Sequence, residues 1–265
     1  MIEPLDIILS THDHLGLTIQ CVEALYANTG VEFKLTIVDD STDMTEAWLA
    51  EFGKTHNINY IRCPSEELTC MNDILNIALK HTKSEFVVYL GNSVKVEPDW
   101  LIPAIRGIQQ YEDVGCIGFK CLFETGVIEH AGVFFEPGMP HHMNYGVGEG
   151  GHRHTYMREV DIVGWCLVLL RRKALPIDGL SNDYYIGFRG YDDIDNCLQM
   201  RKKGWKILYC GYGACYHWAR ATRLTSNQAE QEKFAQEYEE NRFRFLARWG
   251  TPPLEGESES PPDSI

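Results

Sequence analysis

The sequence predicts an α/β fold with a mostly parallel sheet flanked by helices, Rossmann-like in its first half. Two observations carry that expectation. Short apolar runs alternate with helix-patterned segments up to about residue 110, the signature of right-handed βαβ units. Several of those runs stop abruptly at small or acidic polar residues, where open parallel sheets place their ligands. At 265 residues, with 44% hydrophobic and 23% charged, the chain is long enough for one large core.

Taken in order, LDIILS is a strand, followed by a helix from about Leu15. LTIVDD is a second strand, with a helix from Asp43, and INYIRC a third, with a helix from Leu68. FVVYL follows, with a helix from Pro98. In the second half VIEHAGVFF, EVDIVGWCLVLLRR and WKILYC read as strands. A Gly/His/Pro stretch, EPGMPHHMNYGVGEGGHRH, and one short helix, DIDNCLQMRKKG, separate them, with Gly204 as C-cap. Thr225-x-x-Gln228 opens a last amphipathic helix with Phe234, Tyr238, Phe245 and Trp249 on one face. We expect one domain over residues 1–250: a nucleotide-binding half (1–110), a more variable half (111–224) and the C-terminal helix (225–250). The Pro/Ser/Glu tail, 251–265, is expected to be disordered.

No run approaches the roughly 20 apolar residues that span a bilayer, and MIEPLDIILS has neither a basic n-region nor a small-residue cleavage site. A cytoplasmic protein is expected. Nine cysteines without a C-x-x-C pair read as reduced, mostly buried thiols rather than disulfides or a zinc knuckle. A net charge of −14 argues against broad docking on nucleic acid or anionic lipid. No G-x-G-x-x-G follows the first strand and no G-x-x-x-x-G-K-[ST] occurs, which disfavours a dehydrogenase or a P-loop phosphotransferase.

The candidate chemistry lies at segment ends. The first strand ends in Ser10-Thr11-His12-Asp13 and the second in Asp39-Asp40, carboxylates suited to a base or ribose. Capping is the competing role, since Asp43-x-x-Glu46 is a capping pattern. In RGYDDIDNCLQ three aspartates crowd one helix start. One serves as a cap, and Asp192 and Asp193 remain as candidates for a general base. In GACYHWARATR, His217 ends a strand, with Arg220 and Arg223 behind it, a credible phosphate site.

In their order these elements resemble the family-two, GT-A-fold glycosyltransferases over roughly residues 5 to 220. IILSTHD is similar to the family's "IIPTYN", TIVDDSTD to "VVDDGSTD" and FVVYLGNSVKVEPDWL to "FLDADxxxxPDWL". DIVGWCLVLLRRKAL is similar to "tGaclliRRe", and GFRGYDDIDNCLQMRKKGWKILYCGYGACYH to "GYEDvDLClRlrkaGyriLyvpdavvyH". VIEHAGVFF falls in sequence between them. The resemblance implies an inverting transferase with a nucleotide-diphosphate sugar as donor and a carbohydrate or glycoconjugate as acceptor; a protein or modified nucleic acid stays open. It implies that Thr11, Asp13, Asp39, Asp40, Asn72, Asn92 and Ser93 line the nucleotide pocket. Met71 stands where the family often has arginine before the asparagine. Asp193 becomes the general base, with Asp192 in place of a glutamate, and His217 completes the metal and diphosphate site with Arg220 and Arg223. His130, Trp165 and Tyr191 fall on the acceptor side.

Gly91-Asn92-Ser93 stands where the family usually carries Asp-x-Asp, the carboxylates that hold Mn2+ or Mg2+ against the diphosphate. An amide and a hydroxyl hold a hard cation weakly. Three readings follow. The leaving diphosphate is neutralised by Arg220, Arg223, Lys95 or a helix N-terminus; a metal is bound through His217, phosphates and water, aided by Asn92; or the chain is a silent GT-A scaffold that binds a nucleotide sugar or glycan. The stretch with His141, His142, His152 and His154 reads as a mobile acceptor loop, its glycines making fixed ligand placement costly in entropy.

Overall fold

The computed structural model describes residues 5–64, 68–136, 139–143, 145–148, 154–176, 179–181, 184–187, 190–218 and 228–250. The first half forms as the alternation predicts: β1 (Leu5–Thr11), α1 (Leu15–Asn28), β2 (Phe33–Asp39), α2 (Thr45–Phe52), β3 (Ile58–Arg62), α3 (Met71–Leu79), β4 (Phe86–Gly91) and α4 (Ile102–Gln110), with a short β5 (Val94–Val96) between the last two. The second half contains β6 (Val114–Leu122), β7 (Ile128–His130), β8 (Val133–Glu136), β9 (Met139–His142), β10 (Met157–Val160), β11 (Leu167–Arg171), α5 (Asp192–Lys202), β12 (Lys206–His217) and α6 (Gln228–Trp249).

One sheet runs in the order β10-β12-β6-β11-β4-β1-β2-β3. β3, β2, β1 and β4 are mutually parallel. β11 is antiparallel to both β4 and β6, and β12 runs parallel to β6. This is the mixed α/β architecture that the sequence predicts, with its parallel block first. Strand residues alternate between two apolar layers: Ile7, Leu9, Val88 and Leu90 pack with α1 and α4 on one face, and Ile8, Val87 and Tyr89 pack with α3, α5 and Phe245 of α6 on the other. Burying each such Ile, Leu or Val contributes about 1.5–3 kcal/mol.

Two predicted strands are each two elements. VIEHAGVFF breaks at Gly132, whose φ of 95° favours glycine and whose added Cβ would lie 2.8 Å from Val160 Cγ1. EVDIVGWCLVLLRR divides into an edge strand on β12 and a central strand between β4 and β6. The described part of the Gly/His stretch is not all loop. His141 and His142 lie on β9, paired with β8, and Ile128 and residues 146–147 exchange backbone hydrogen bonds at 2.9 and 3.2 Å. Those bonds offset the entropy of the glycine-rich backbone. The C-terminal helix is described from Gln228, so Thr225 and the tail beyond 250 lie outside the described residues. No described helix is long and apolar enough to cross a membrane.

Candidate active site

The carboxyl ends of β1 and β2 meet through side chains. Asp39 is fully buried. Its Oδ1 accepts from Thr11 Oγ1 at 2.7 Å and Ser41 N at 3.1 Å, and its Oδ2 accepts from Tyr60 at 2.8 Å and Arg62 Nη1 at 3.2 Å. Asp13 and His14 take left-handed backbone, φ 49° and 57°, which turns the β1–α1 loop over β2. Asp13 Oδ1 then accepts from Thr42 N at 2.5 Å and Asp43 N at 3.2 Å. Asp43 answers by accepting from Leu15 N at the start of α1, 2.9 Å, and from Thr45 N at the start of α2, 2.9 Å. Burial works to raise the Asp13 carboxyl, but the bonds from Thr42 and Asp43, with His12 nearby, leave it below the usual range. Asp40 keeps one polar neighbour in the cleft, His12 Nδ1 at 3.0 Å.

β4 ends in the Gly91-Asn92-Ser93 turn. Asn92 Nδ2 donates to Asp13 O at 2.8 Å and Thr18 Oγ1 at 2.9 Å, so it fastens the β1–α1 loop. Gly91 has ordinary room around it: an added Cβ would stand 3.9 Å from the Ser10 and Ser93 hydroxyls. Across from β5, β12 carries a bulge in which Gly211, Tyr212 and Gly213 fall between Cys210↔Phe119 and Ala214↔Lys120. A Cβ at Gly213 would sit 2.0 Å from Trp100 O, so only glycine fits. The bulge re-aims the strand end, and His217 arrives opposite Val94, where its Nδ1 hydrogen-bonds Glu129 Oε2 at 2.7 Å. Ser93 O accepts from Trp218 N at 2.9 Å, joining turn and strand.

α5 brings the remaining carboxylates. Tyr191 caps it in left-handed backbone, φ 74°. Asp193 Oδ1 accepts from its neighbour Ile194 N at 2.8 Å and Oδ2 from Trp165 N at 3.4 Å. Asp192 Oδ2 accepts from Met71 N at 3.3 Å, while its buried Oδ1 has no partner among the described residues. Burial, with Asp193 beside it and against the Met71 N–H, pushes Asp192 up to about 7. Burial also raises Asp193, against the Ile194 and Trp165 amides. Two neighbouring carboxyls whose hold on a proton is raised by burial suit acid–base work. Asp195 does something else. It accepts from Tyr185 at 3.2 Å, Gln199 at 2.5 Å and Trp249 Nε1 at 2.5 Å, and pairs with Arg248 at 3.5 Å, which ties α6 to α5.

Three consecutive residues join these parts. Gly164 N donates to His130 Nε2 at 3.1 Å, Trp165 N to Asp193 as above, and Cys166 O accepts from Gly91 N at 3.2 Å. The Gly91 turn, the Asp193 carboxylate and a buried histidine therefore share one short strand entry.

Other residues singled out in the sequence have partners within the fold. Asn72 is buried: its Nδ2 donates to Ser181 O at 2.6 Å and its carbonyl oxygen accepts from Asn196 at 2.8 Å, joining α3 to α5. Asp39 and Asn92 are occupied as described and act within the scaffold. His130, Trp165 and Tyr191 are 3%, 1% and 2% exposed, so as they stand they present no side-chain surface to an acceptor. Arg220, Arg223 and His152 lie outside the described residues. Glu129 escaped the sequence reading because its partner His217 is 88 positions away; its only signal was a charge inside an apolar strand pattern.

The donor set at the Gly91 turn does not suit a tightly held divalent cation. Gly91 brings no side chain, Asn92 is engaged, and Ser93 brings one hydroxyl. Among the described residues no group of three or more His, Cys, Asp or Glu side chains could hold a metal ion.

A family model, glycosyl transferase family 2, matches residues 6–175. The chain belongs to glycosyl transferase family 2. Over 230 residues this family-two chain is 26% identical to a Sinorhizobium fredii protein designated uncharacterized protein y4gI, covering 82% of the chain and 24% of that protein. Over 158 residues it is 25% identical to the O-antigen biosynthesis protein RfbC of Myxococcus xanthus, covering 57% and 12% respectively. The chain thus spans a quarter or less of the length of these curated relatives. Among solved structures it superposes on GalNAc-T7 with UDP, GalNAc and Mn2+, TM-score 0.66 at 12% identity, over 94% of this chain and 59% of that one. Mannosyltransferase PcManGT of Pyrobaculum calidifontis with GDP-Man and Mn2+ gives 0.62 at 15%, over 94% and 65%. S. aureus TarS 1-349 with UDP-GlcNAc gives 0.57 at 16%, over 92% and 73%. At these identities the likeness is one of fold, and the family assignment rests on the family model over residues 6–175.

Proposed function

We propose that the chain moves a sugar from a nucleotide-diphosphate sugar to an acceptor hydroxyl with inversion, Asp193 acting as general base. The observation that carries this is the Trp165 hydrogen bond to Asp193, one residue from the Cys166 carbonyl that receives the Gly91 amide. A base and the turn that ends β4 are thereby fixed on one strand entry. The acceptor hydroxyl donates its proton to Asp193 as its oxygen attacks the anomeric carbon, and the nucleoside diphosphate leaves from the opposite face. The amides of Ile194 and Trp165 hold the carboxylate in place, and Asp192 tunes it through the charge they share space for.

In the same proposal Thr11, Asp13, Asp39 and Asn92 shape the floor of the nucleotide side, leaving Asp40 and Ser93 with the open contacts. His217, held by Glu129, faces the diphosphate with Arg220 and Arg223.

A second reading, donor or glycan binding without turnover, is favoured by one observation, the absence of carboxylates at Gly91 and Ser93. Calorimetry with UDP, GDP, dTDP and CMP, in EDTA and in Mn2+, combined with a transfer assay, separates the two. The proposal expects one nucleotide to bind in EDTA, and Asp193→Asn to lower transfer about 10²–10⁴-fold while donor affinity stays within about twofold. Binding with no transfer by the wild type supports the second reading, and loss of donor affinity in Asp193→Asn moves that residue to the nucleotide site.

A further inference from the structure

The Asp193 base has a neighbour that the reaction as written leaves unused. His130 is 3% exposed, and burial, with His142 and His217 nearby, pushes its imidazole down to about 3, so it stays neutral. A neutral imidazole has one N–H and one lone pair. Gly164 N donates to His130 Nε2 at 3.1 Å, so the lone pair is at Nε2 and the proton at Nδ1. His130 Nδ1 lies 3.3 Å from His142 Nδ1. With the proton already placed on His130, His142 Nδ1 must accept, and the proton of a neutral His142 must sit on Nε2. The ring nitrogens therefore have fixed roles from a backbone amide outward.

His142 itself is exposed. It closes the β8–β9 hairpin opposite Val133, and Val133 is in turn bonded to Ile162 in both directions, at 3.0 and 3.3 Å, two residues before Gly164. The hairpin is thus anchored beside the peptide that holds Asp193, and His142 is close enough to Asp193 to act on its carboxyl electrostatically. A buried histidine that orients an exposed one, next to a general base, is a costly arrangement for a loop that only covers a cleft.

We propose that His142 is an acceptor-positioning residue: its Nε2–H, fixed by His130, donates to an oxygen of a hydroxylated carbohydrate acceptor beside the hydroxyl that Asp193 deprotonates. The chemical class this selects is a sugar with a second hydroxyl or ring oxygen next to the attacking one. His142 takes up no proton in the step; it holds the acceptor while the proton passes to Asp193. The inference rests on the transfer reaction proposed above.

Two measurements test it. Long-range proton–nitrogen spectra of the imidazoles at neutral pH, with His142→Gln to assign the signals, should show His142 as the Nε2–H form and His130 as the Nδ1–H form; the reverse form at either ring overturns the proposal. Transfer from UDP-glucose, UDP-GlcNAc or GDP-mannose to a panel of methyl glycosides should then show His142→Ala raising the acceptor KM about tenfold, with donor affinity by calorimetry unchanged. His142→Gln, whose amide nitrogen reaches the place of Nε2, should recover most of that loss. An unchanged acceptor KM in His142→Ala, while Asp193→Asn abolishes transfer, overturns the inference and leaves the transferase reading standing. Absence of transfer by the wild type from every donor overturns both.

Discussion

The two halves of the molecule use their polar residues in opposite ways. On the β1–β2 side almost every carboxylate oxygen described is spoken for: Asp39 has four partners, and Asp13 and Asp43 hold each other's loops. On the α5 side buried polar atoms go without, among them Asp192 Oδ1 and Trp165 Nε1 among the described residues. Leaving such a group unpaired costs about 1–3 kcal/mol, and folds retain that cost mainly where chemistry needs it. Thr45 Oγ1 and Trp100 Nε1 in the first half also lack partners among the described residues, so the contrast is one of carboxylates: Asp39 is fully bonded within the fold, and Asp192 keeps an oxygen free.

Substitutions can break that contrast. The largest effect on stability is expected from Asp39→Ala, which strands Thr11, Tyr60 and Arg62 together; urea unfolding should show a loss of about 3 kcal/mol or more. A stability change below about 0.5 kcal/mol with donor binding abolished would make Asp39 a nucleotide contact after all. Asp192→Asn should act the other way. Its carboxyl is raised in the fold to about 7 from 3.8, so between about pH 4 and 7 the folded state holds a proton that the unfolded state has released, and stability falls as pH rises through that window. The asparagine variant lacks this slope. Its advantage over the wild type should grow by on the order of 1–3 kcal/mol between pH 5 and pH 8, and equal slopes would mean that Asp192 is ionised in the fold.

Asn92→Ala, which frees the β1–α1 loop from its two bonds, should cost about 1–2 kcal/mol in the same assay, with little effect on Asp193 chemistry at saturating donor. The smallest change sharpens the contrast most. Gly91 has room for a Cβ, so Gly91→Asp with Ser93→Asp should be tolerated and should make donor binding tighten about tenfold on adding Mn2+. Indifference of the double variant to Mn2+ would place the cation site of this family elsewhere in the chain.

Periodicity and order made the sheet legible: apolar runs of five or six residues are strands almost wherever they occur, and Gly204, with φ 87°, ends α5 as its position suggested. The excess of acid at one helix start singled out Asp192 and Asp193 in the sequence, and both lie at the start of α5. What escaped are pairings between residues distant in sequence. Asn72 meets Asn196 across 124 positions, Glu129 meets His217 across 88, and Asp195 meets Trp249 across 54. No local pattern encodes these, because the distance is closed by the sheet order and not by the helix or strand period. The hairpin that holds His142 escaped for another reason: glycine content signals entropy but not the hydrogen bonds that overcome it.

The ties from Asp195 to Trp249 and Arg248 carry a consequence in time. Helix α5 is made before residue 205, yet the indole and guanidinium that bond Asp195 arrive more than forty residues later. During synthesis Asp195 therefore has its Tyr185 and Gln199 partners first, and gains Trp249 and Arg248 only with the last turn of α6.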